Sequence, residues 1–262
     1  MMTADLVAMS DAGYHEMTRE ITVRSGGEVL ERDGLLMVAS ADHPAPFIVN
    51  ETIRLDQRVP AAETIARARE YAARRDRTAG ICTRPRDADL VEALQKGGWE
   101  LVVELPGMVA IDPIEPADPG AGVELRAITT EEDLRTLVAV LGESFGPEEP
   151  WPSLWASIFK DLSTVARSDT PAVIAYADGQ AAAAAVAYAL EPVGIVGMVG
   201  AISSYGGRGL GNLVTRQVAA AAQQFNGRPV VLQSSPMARP LYERIGFQAV
   251  TTYRIWEDSR PS

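Results

Sequence analysis

The chain has 262 residues, 47% of them hydrophobic, and a formal net charge of -11. That length suits one large domain or two modest ones, and no apolar run approaches the roughly 20 residues of a membrane-spanning helix. The acidic balance argues against general nucleic-acid binding, which needs a basic surface. Cys82 is the single cysteine and His15 and His43 are the only histidines. An intrachain disulfide is therefore excluded, and neither a thiolate metal site nor a Ser-His-Asp triad has a supporting motif. The acidic opening MMTADLVAMSDAGYHE is unlike a secretory leader. A cytoplasmic protein without a membrane partner is expected.

In chain order, residues 11–21 form a possible helix. GEVLERDGLLMVAS reads as a hairpin turning at Asp33-Gly34, and residues 47–55 as a further strand. Residues 61–74 are helical, with Ile65, Ala68 and Ala72 on one face. GICTR (80–84) is a short strand. Residues 89–96 form a helix stopped by Gly97-Gly98, and WELVVEL returns as a strand. The Pro/Gly-rich stretch DPIEPADPGAG (112–122) then divides the sequence as a linker or long surface connection. Beyond it, VELRAIT is a strand. TEEDLRTLVAVLGESF is a helix with acidic residues in its first turn, which complement the helix dipole. Residues 151–162 form a second helix with Trp151, Trp155, Ile158 and Phe159 on one face. AVIAYADGQAAAAAVAYAL is a hairpin turning at Asp178-Gly179, although its alanine run favours helix locally. GIVGMVGAIS (194–203) is a glycine-rich strand. After YGGRGLG comes a long amphipathic helix, then PVVLQ as a buried strand, LYERIG as a helix and FQAVTTYRIW as a closing strand. The class is mixed α/β, and the helix after the glycines connects two parallel strands.

The glycines at the mouth of that helix need a reason, because each costs about 1 kcal/mol in a helix interior. The first-turn amides of a helix lack internal partners, and the dipole adds positive potential. Gly206, Gly207, Gly209 and Gly211 have no Cβ, so a phosphate can approach the backbone, with Arg208 beside it. A tight turn needed for positive φ or close packing is the alternative. A dinucleotide site would require an acidic residue closing the next strand, and that strand ends in Gln233. A P-loop would require G-K-[ST], which is absent.

The loop GGRGLG, followed about 30 residues later by ARPLYERIGF from Ala238, resembles the GNAT superfamily of acyl-CoA-dependent N-acetyltransferases. That family carries R/Q-x-x-G-x-G/A at its pyrophosphate loop and A-x-x-L-Y-x-x-x-G-F downstream. The resemblance covers residues 123–256 and is sharpest over 194–247. It departs at Gly206, where the family has Arg or Gln, and at Ser235, where many members have Asn. Pro240 falls inside the expected helix. The resemblance implies a central mixed sheet flanked by helices and acetyl-CoA as cosubstrate. It places the pantetheine along Met198, Val199, Gly200 and Ala201, with Gly197 and Gly200 leaving room. The diphosphate would lie on Gly206, Gly207, Arg208, Gly209, Leu210, Gly211 and Asn212, with Ser235 helping. Tyr242 aligns with the tyrosine that protonates the departing sulfur, and Trp151 and Trp155 fall where the family walls its acceptor site. The acceptor would be a small-molecule amine, with a peptide amine second, and family analogy suggests a homodimer. No base is assigned among Glu143, Glu148, Glu149 and Glu191, because the glycine-rich strand carries no acid. A non-catalytic acyl-CoA-binding or dimerisation module is the alternative.

The first half echoes the end of the second. ICTRPRDADLVEALQKGGWELVVEL parallels VVLQSSPMARPLYERIGFQAVTTYRI, with Leu94 on Tyr242 and the glycine-free DQRVPAAET opposite the glycine loop. The implied organisation is tandem: a degenerate GNAT-like domain over 1–113, a linker over 114–122 and an N-acetyltransferase domain over 123–262.

Overall fold

The computed structural model describes residues 3–43, 48–146, 148 and 150–259. Its elements are α1 (Thr3–Arg24), β1 (Glu28–Arg32), β2 (Leu35–Ala39), β3 (Thr52–Arg54), α2 (Ala61–Ala73), β4 (Gly80–Thr83), α3 (Ala88–Lys96), β5 (Trp99–Ala110), β6 (Val123–Ala127), α4 (Glu131–Phe145), α5 (Trp151–Ile158), β7 (Ala172–Ala177), β8 (Gln180–Ala189), β9 (Gly194–Ala201), α6 (Leu210–Asn226), β10 (Val230–Gln233), α7 (Arg239–Ile245) and β11 (Gln248–Asp258). Short 3-10 turns lie at Leu162–Thr164 and Ser203–Tyr205. Among the described residues, no helix is long and apolar enough to cross a membrane.

Local chemistry explains most of these boundaries. Both two-residue hairpins turn where expected, with Asp33 and Asp178 at φ 50° and 54°, the sign such turns require. The helix α4 opens on a capping box. Thr130 Oγ1 accepts from the Asp133 amide at 3.1 Å, and the Asp133 carboxylate accepts from the Thr130 amide at 2.9 Å. The expected helix over 151–162 ends earlier, at Ile158, because Asp161 caps a separate 3-10 turn by accepting from the Ser163 amide at 3.0 Å. The strand expected over 47–55 shrinks to β3, and Phe47 lies outside the described residues. Just upstream, the Asn50 side chain holds a bend by accepting from Ser40 N at 2.9 Å and donating to His43 O at 2.7 Å.

The chain divides into two compact units. The first, Met1–Met17 with Gly107–Val250, contains the glycine loop. Its strands run in the order β5-β10-β9-β8-β7-β6, parallel only between β9 and β10. The alanine run of β8 is a strand despite its helical propensity. It lies mid-sheet with α4 and α6 packed on it, where small side chains let both helices approach. Residues 112–122 are irregular but not a free tether. Gln217 Nε2 donates to Ala117 O at 2.7 Å, and Gln223 Oε1 accepts from Ile114 N at 2.8 Å, strapping the stretch along α6.

The second unit comprises Thr18–Pro106 and Thr251–Ser262. Its order is β1-β2-β3-β4-β11, again antiparallel except for one parallel pair, β3 with β4. Both units therefore carry an antiparallel meander, of four strands (β6–β9) in the first and three (β1–β3) in the second, followed by a crossover helix, a parallel strand and a short helix. They do not coincide with the sequence halves divided at 114–122. The last strand of the first half, β5, pairs with β10, and the last strand of the second half, β11, pairs with β4.

In this second unit the ends of the parallel pair are plugged by ions. Fully buried Arg54 donates from Nε and Nη2 to Asp87 Oδ1 at 3.2 and 3.1 Å, and from Nη2 to Asp89 Oδ1 at 2.6 Å. Asp87 Oδ2 accepts from the Arg84 amide at 2.9 Å and from its Nε at 3.1 Å, while Gln57 donates to Oδ1 at 2.9 Å. Pro60, which has no amide hydrogen, is the N-cap of α2. Burial pushes the Asp87 carboxyl up, but Arg84 and the hydrogen bonds around it outweigh this and hold it below its ordinary value.

Breaking this network leaves a buried, uncompensated charge. Asp87→Ala is expected to cost about 3–5 kcal/mol in urea unfolding. Because the folded carboxyl sits below its unfolded value of about 3.9, its contribution is present above that pH and is lost as pH falls further. Asp87→Asn should therefore flatten acid unfolding below about pH 4.

Candidate active site

The site begins where two parallel strands part. The strand β9 pairs with β8 as far as Ala201, but with β10 only from Gly194↔Val230 to Val196↔Leu232. At the parting point Val196 faces Ala187 and Met198 faces Val186, so Gly197 is an extra residue, a β-bulge. The backbone edge of residues 197–201 that faces away from β8 thus has no strand partner among the described residues. A Cβ at Gly197 would lie 2.8 Å from Tyr188 Cε2, and one at Gly200 would lie 2.9 Å from Ser144 Oγ. The room expected for a ligand at these glycines is therefore filled by Tyr188 and by the last turn of α4. What stays open is the backbone edge of β9.

The glycine loop follows directly. Gly207 and Gly209 adopt φ 78° and 73°, the left-handed region that side chains resist, and a Cβ at either would meet nothing within 4 Å. The Gly206 amide is used, donating to Ser203 O at 2.9 Å. From Gly207 to Asn212 no backbone amide has a hydrogen-bond acceptor among the described residues, and the first helical bond is Leu213 N to Gly209 O at 3.0 Å. Consecutive bare amides at the N-terminus of a 17-residue helix make a concave donor surface with positive potential. Buried Leu210 anchors the loop to the core beneath. Arg208 turns aside, with Nη1 2.6 Å from Asp178 Oδ2 at the hairpin tip, and the guanidinium holds the Asp178 carboxyl below its usual range.

Ser235 and Tyr242 lie further along the chain, before and within α7. Exposed Ser235 starts α7, its Oγ accepting from the Ala238 amide at 3.2 Å and its carbonyl from Arg239 N at 3.1 Å. Pro240 lies in the first turn, where a missing amide hydrogen costs nothing. Tyr242 is 7% exposed and edge-on to Phe247, with centroids 6.1 Å apart. Burial pushes its phenol up to about 12, so it is protonated at neutral pH.

At the end of α4, Phe145, Trp151 and Trp155 form an aromatic cluster. Phe145 lies 5.6 Å from Trp151 and 4.8 Å from Trp155, and the two indoles stack at 6.2 Å. Trp155 is only 1% exposed, so it backs the cluster instead of presenting a wall. Phe145, which residue spacing left unremarked, is 40% exposed and takes the surface position.

Residues 132–247 match the family described as "Acetyltransferase (GNAT) family". Solved structures share the fold. A GCN5-related N-acetyltransferase from Kribbella flavida is 22% identical, with TM-score 0.69 over 94% of this chain and 95% of that one. One from Sphaerobacter thermophilus is 16% identical, with TM-score 0.66 over 100% and 95%. A tandem GNAT protein from the clavulanic acid biosynthesis pathway is 18% identical, with TM-score 0.55 over 81% and 76%. A search of curated proteins returns no match.

Within the matched region the bulged strand, the bare amides and Tyr242 belong to one strand–helix–strand–helix run, β9 to α7. The acids considered as bases are dispersed. Glu191 pairs with Arg228 at 3.1 Å. Glu143 lines an open groove of about 330 Å³ along α4 with Gln180 and Ile202. Glu148 is exposed, and Glu149 lies outside the described residues. The bulge and Phe145 were not read from the sequence. Gly197 between apolar residues hinted at the first, and the second is a lone aromatic at a helix end. Filling the bulge should be disruptive: Gly197→Val is expected to destabilise the first unit by about 1–3 kcal/mol through overpacking against Tyr188, read by thermal or urea unfolding.

Proposed function

We propose that the GNAT domain moves an acetyl group from acetyl-CoA to an amine of a small molecule, with a peptide amine as the second choice. The observation that carries this is the run of unbonded amides from Gly207 to Asn212, beside a strand edge left bare by the parting of β9 from β10. The open space at Gly207 and Gly209, where a Cβ would meet no atom within 4 Å, supports a diphosphate at this point. Bound there, acetyl-CoA supplies its acetyl group as an activated thioester. This chain's part is threefold. The loop amides hold the diphosphate. The main chain near Met198–Val199 aligns the pantetheine and offers an amide to the thioester carbonyl. Tyr242 hands its proton to the sulfur as the carbon–sulfur bond breaks. Ser235 and the main chain of Gly200 and Ala201 complete the binding surface. Arg208 reaches the diphosphate by exchanging its carboxylate partner, Asp178, for phosphate. The first sequence half is read as a degenerate copy of the same fold. Its Leu94 and Pro60 supply neither a phenol nor a cap amide.

A second reading, an acyl-CoA-binding module without turnover, is favoured by one observation: β9, GIVGMVGA, carries no carboxylate to take the amine's proton. Thiol release from acetyl-CoA over an amine panel separates the two. Release with any amine supports the enzyme, and binding without release across the panel supports the module. Acetyl-CoA at a hundred times its Kd should stabilise the protein by about 2.7 kcal/mol, and the absence of any thermal shift would refute both readings. Gly209→Val should weaken acetyl-CoA binding in calorimetry, because a branched side chain is strained at φ 73° and would occupy the donor surface. Tyr242→Phe should lower kcat about a hundredfold or more while leaving the Kd for acetyl-CoA unchanged. Unaltered kcat would remove the phenol from the chemistry.

A further inference from the structure

The aromatic cluster at the end of α4 adds a statement about the acceptor. The last turn of α4 lies on the bare strand, since Ser144 and Leu141 fill the space beside Gly200. One residue on, Phe145 exposes 40% of its surface and contacts half-buried Trp151, with buried Trp155 bracing both. Phe145 and Trp151 meet at 41°, the two sides of a shallow aromatic corner. Three features give this corner negative character. The ring faces are electron-rich. It sits at the C-terminal end of a 15-residue helix with no basic residue in its last turn. Glu143 and Glu148, on the same short run of chain, are both exposed.

An aromatic corner of this kind holds a cation. The nitrogen that attacks a thioester, however, must be neutral, and a surface that favours the charged form would raise its pKa and suppress attack. The cation in the corner must therefore be a different group from the reacting amine. We propose that the acceptor is an amine carrying a second, cationic group, and that Phe145 and Trp151 bind that second group. This deepens the acetyltransferase reading and rests on it for the identity of the reacting end, while the binding of the cationic end can be measured alone.

The test uses the full chain and two probes of equal shape, an alkylamine ending in trimethylammonium and its isostere ending in tert-butyl. Their affinities are measured by calorimetry, and thiol release from acetyl-CoA is followed in parallel. The cationic probe should bind about tenfold more tightly, within the range of a desolvated cation on aromatic faces. Phe145→Leu should erase that ratio, and Phe145→Tyr should retain it, with thermal unfolding confirming that both variants fold. Equal affinity of the two probes, or a ratio unchanged in Phe145→Leu, overturns the proposal. Preferential binding of the cationic probe without thiol release from either would leave the aromatic subsite standing and remove the acetyltransferase reading. Thiol release with equal affinities would do the reverse.

Discussion

The separation of two parallel strands is the constraint on which this molecule is built. Sheet strands normally satisfy one another's backbone groups, and a strand that leaves its neighbour must find other partners for them. The strand β9 leaves β10 after three paired positions, and the bulge at Gly197 redirects it at the point of departure. The crossover helix then begins with its own unpaired amides above the opening. A strand edge and a helix end, each deficient in partners, therefore lie next to each other in the chain. The second unit repeats the parallel pair but resolves the deficiency internally, through Arg54, Arg84 and Asp87. The same topology produces an open polar surface in one unit and a closed ionic knot in the other. The residues just beyond the parallel strands decide which.

The charge balance gives the open surface a particular character. In a chain of net charge -11, an anion has little general attraction to draw on. Local backbone dipoles supply what the side chains do not, and they act at short range, which favours a ligand of matching shape over any polyanion. The tie of Arg208 to Asp178 on the hairpin tip keeps a cation near the loop without leaving it unpaired.

Much of this was legible in the residues. Asp33-Gly34 and Asp178-Gly179 announced their hairpins, because two-residue turns demand positive φ. Gly207 and Gly209 announced the helix mouth for the same reason. ARPLYERIGF placed the tyrosine. What spacing could not reveal was set by tertiary context. Trp151 and Trp155 lie four apart on one helix and suggested a common face, yet one is half-buried and the other sealed by the packing of α4. Gly197 and Gly200 looked like vacancies, and Tyr188 and Ser144 fill them. The exchange of β5 and β11 was also invisible, since a strand's sequence specifies which face it buries and not which neighbour it meets.

That exchange governs how the polypeptide can come to be folded. Arg254 hydrogen-bonds through its carbonyl to Thr83, a separation of 171 positions along the chain. During synthesis from the amino end, the early sheet acquires its β11 strand only when residues 248–258 have emerged. Until then β4 presents an uncovered edge, and the halves cannot mature one after the other as independent beads would. Pairings this distant in the chain are slow to form.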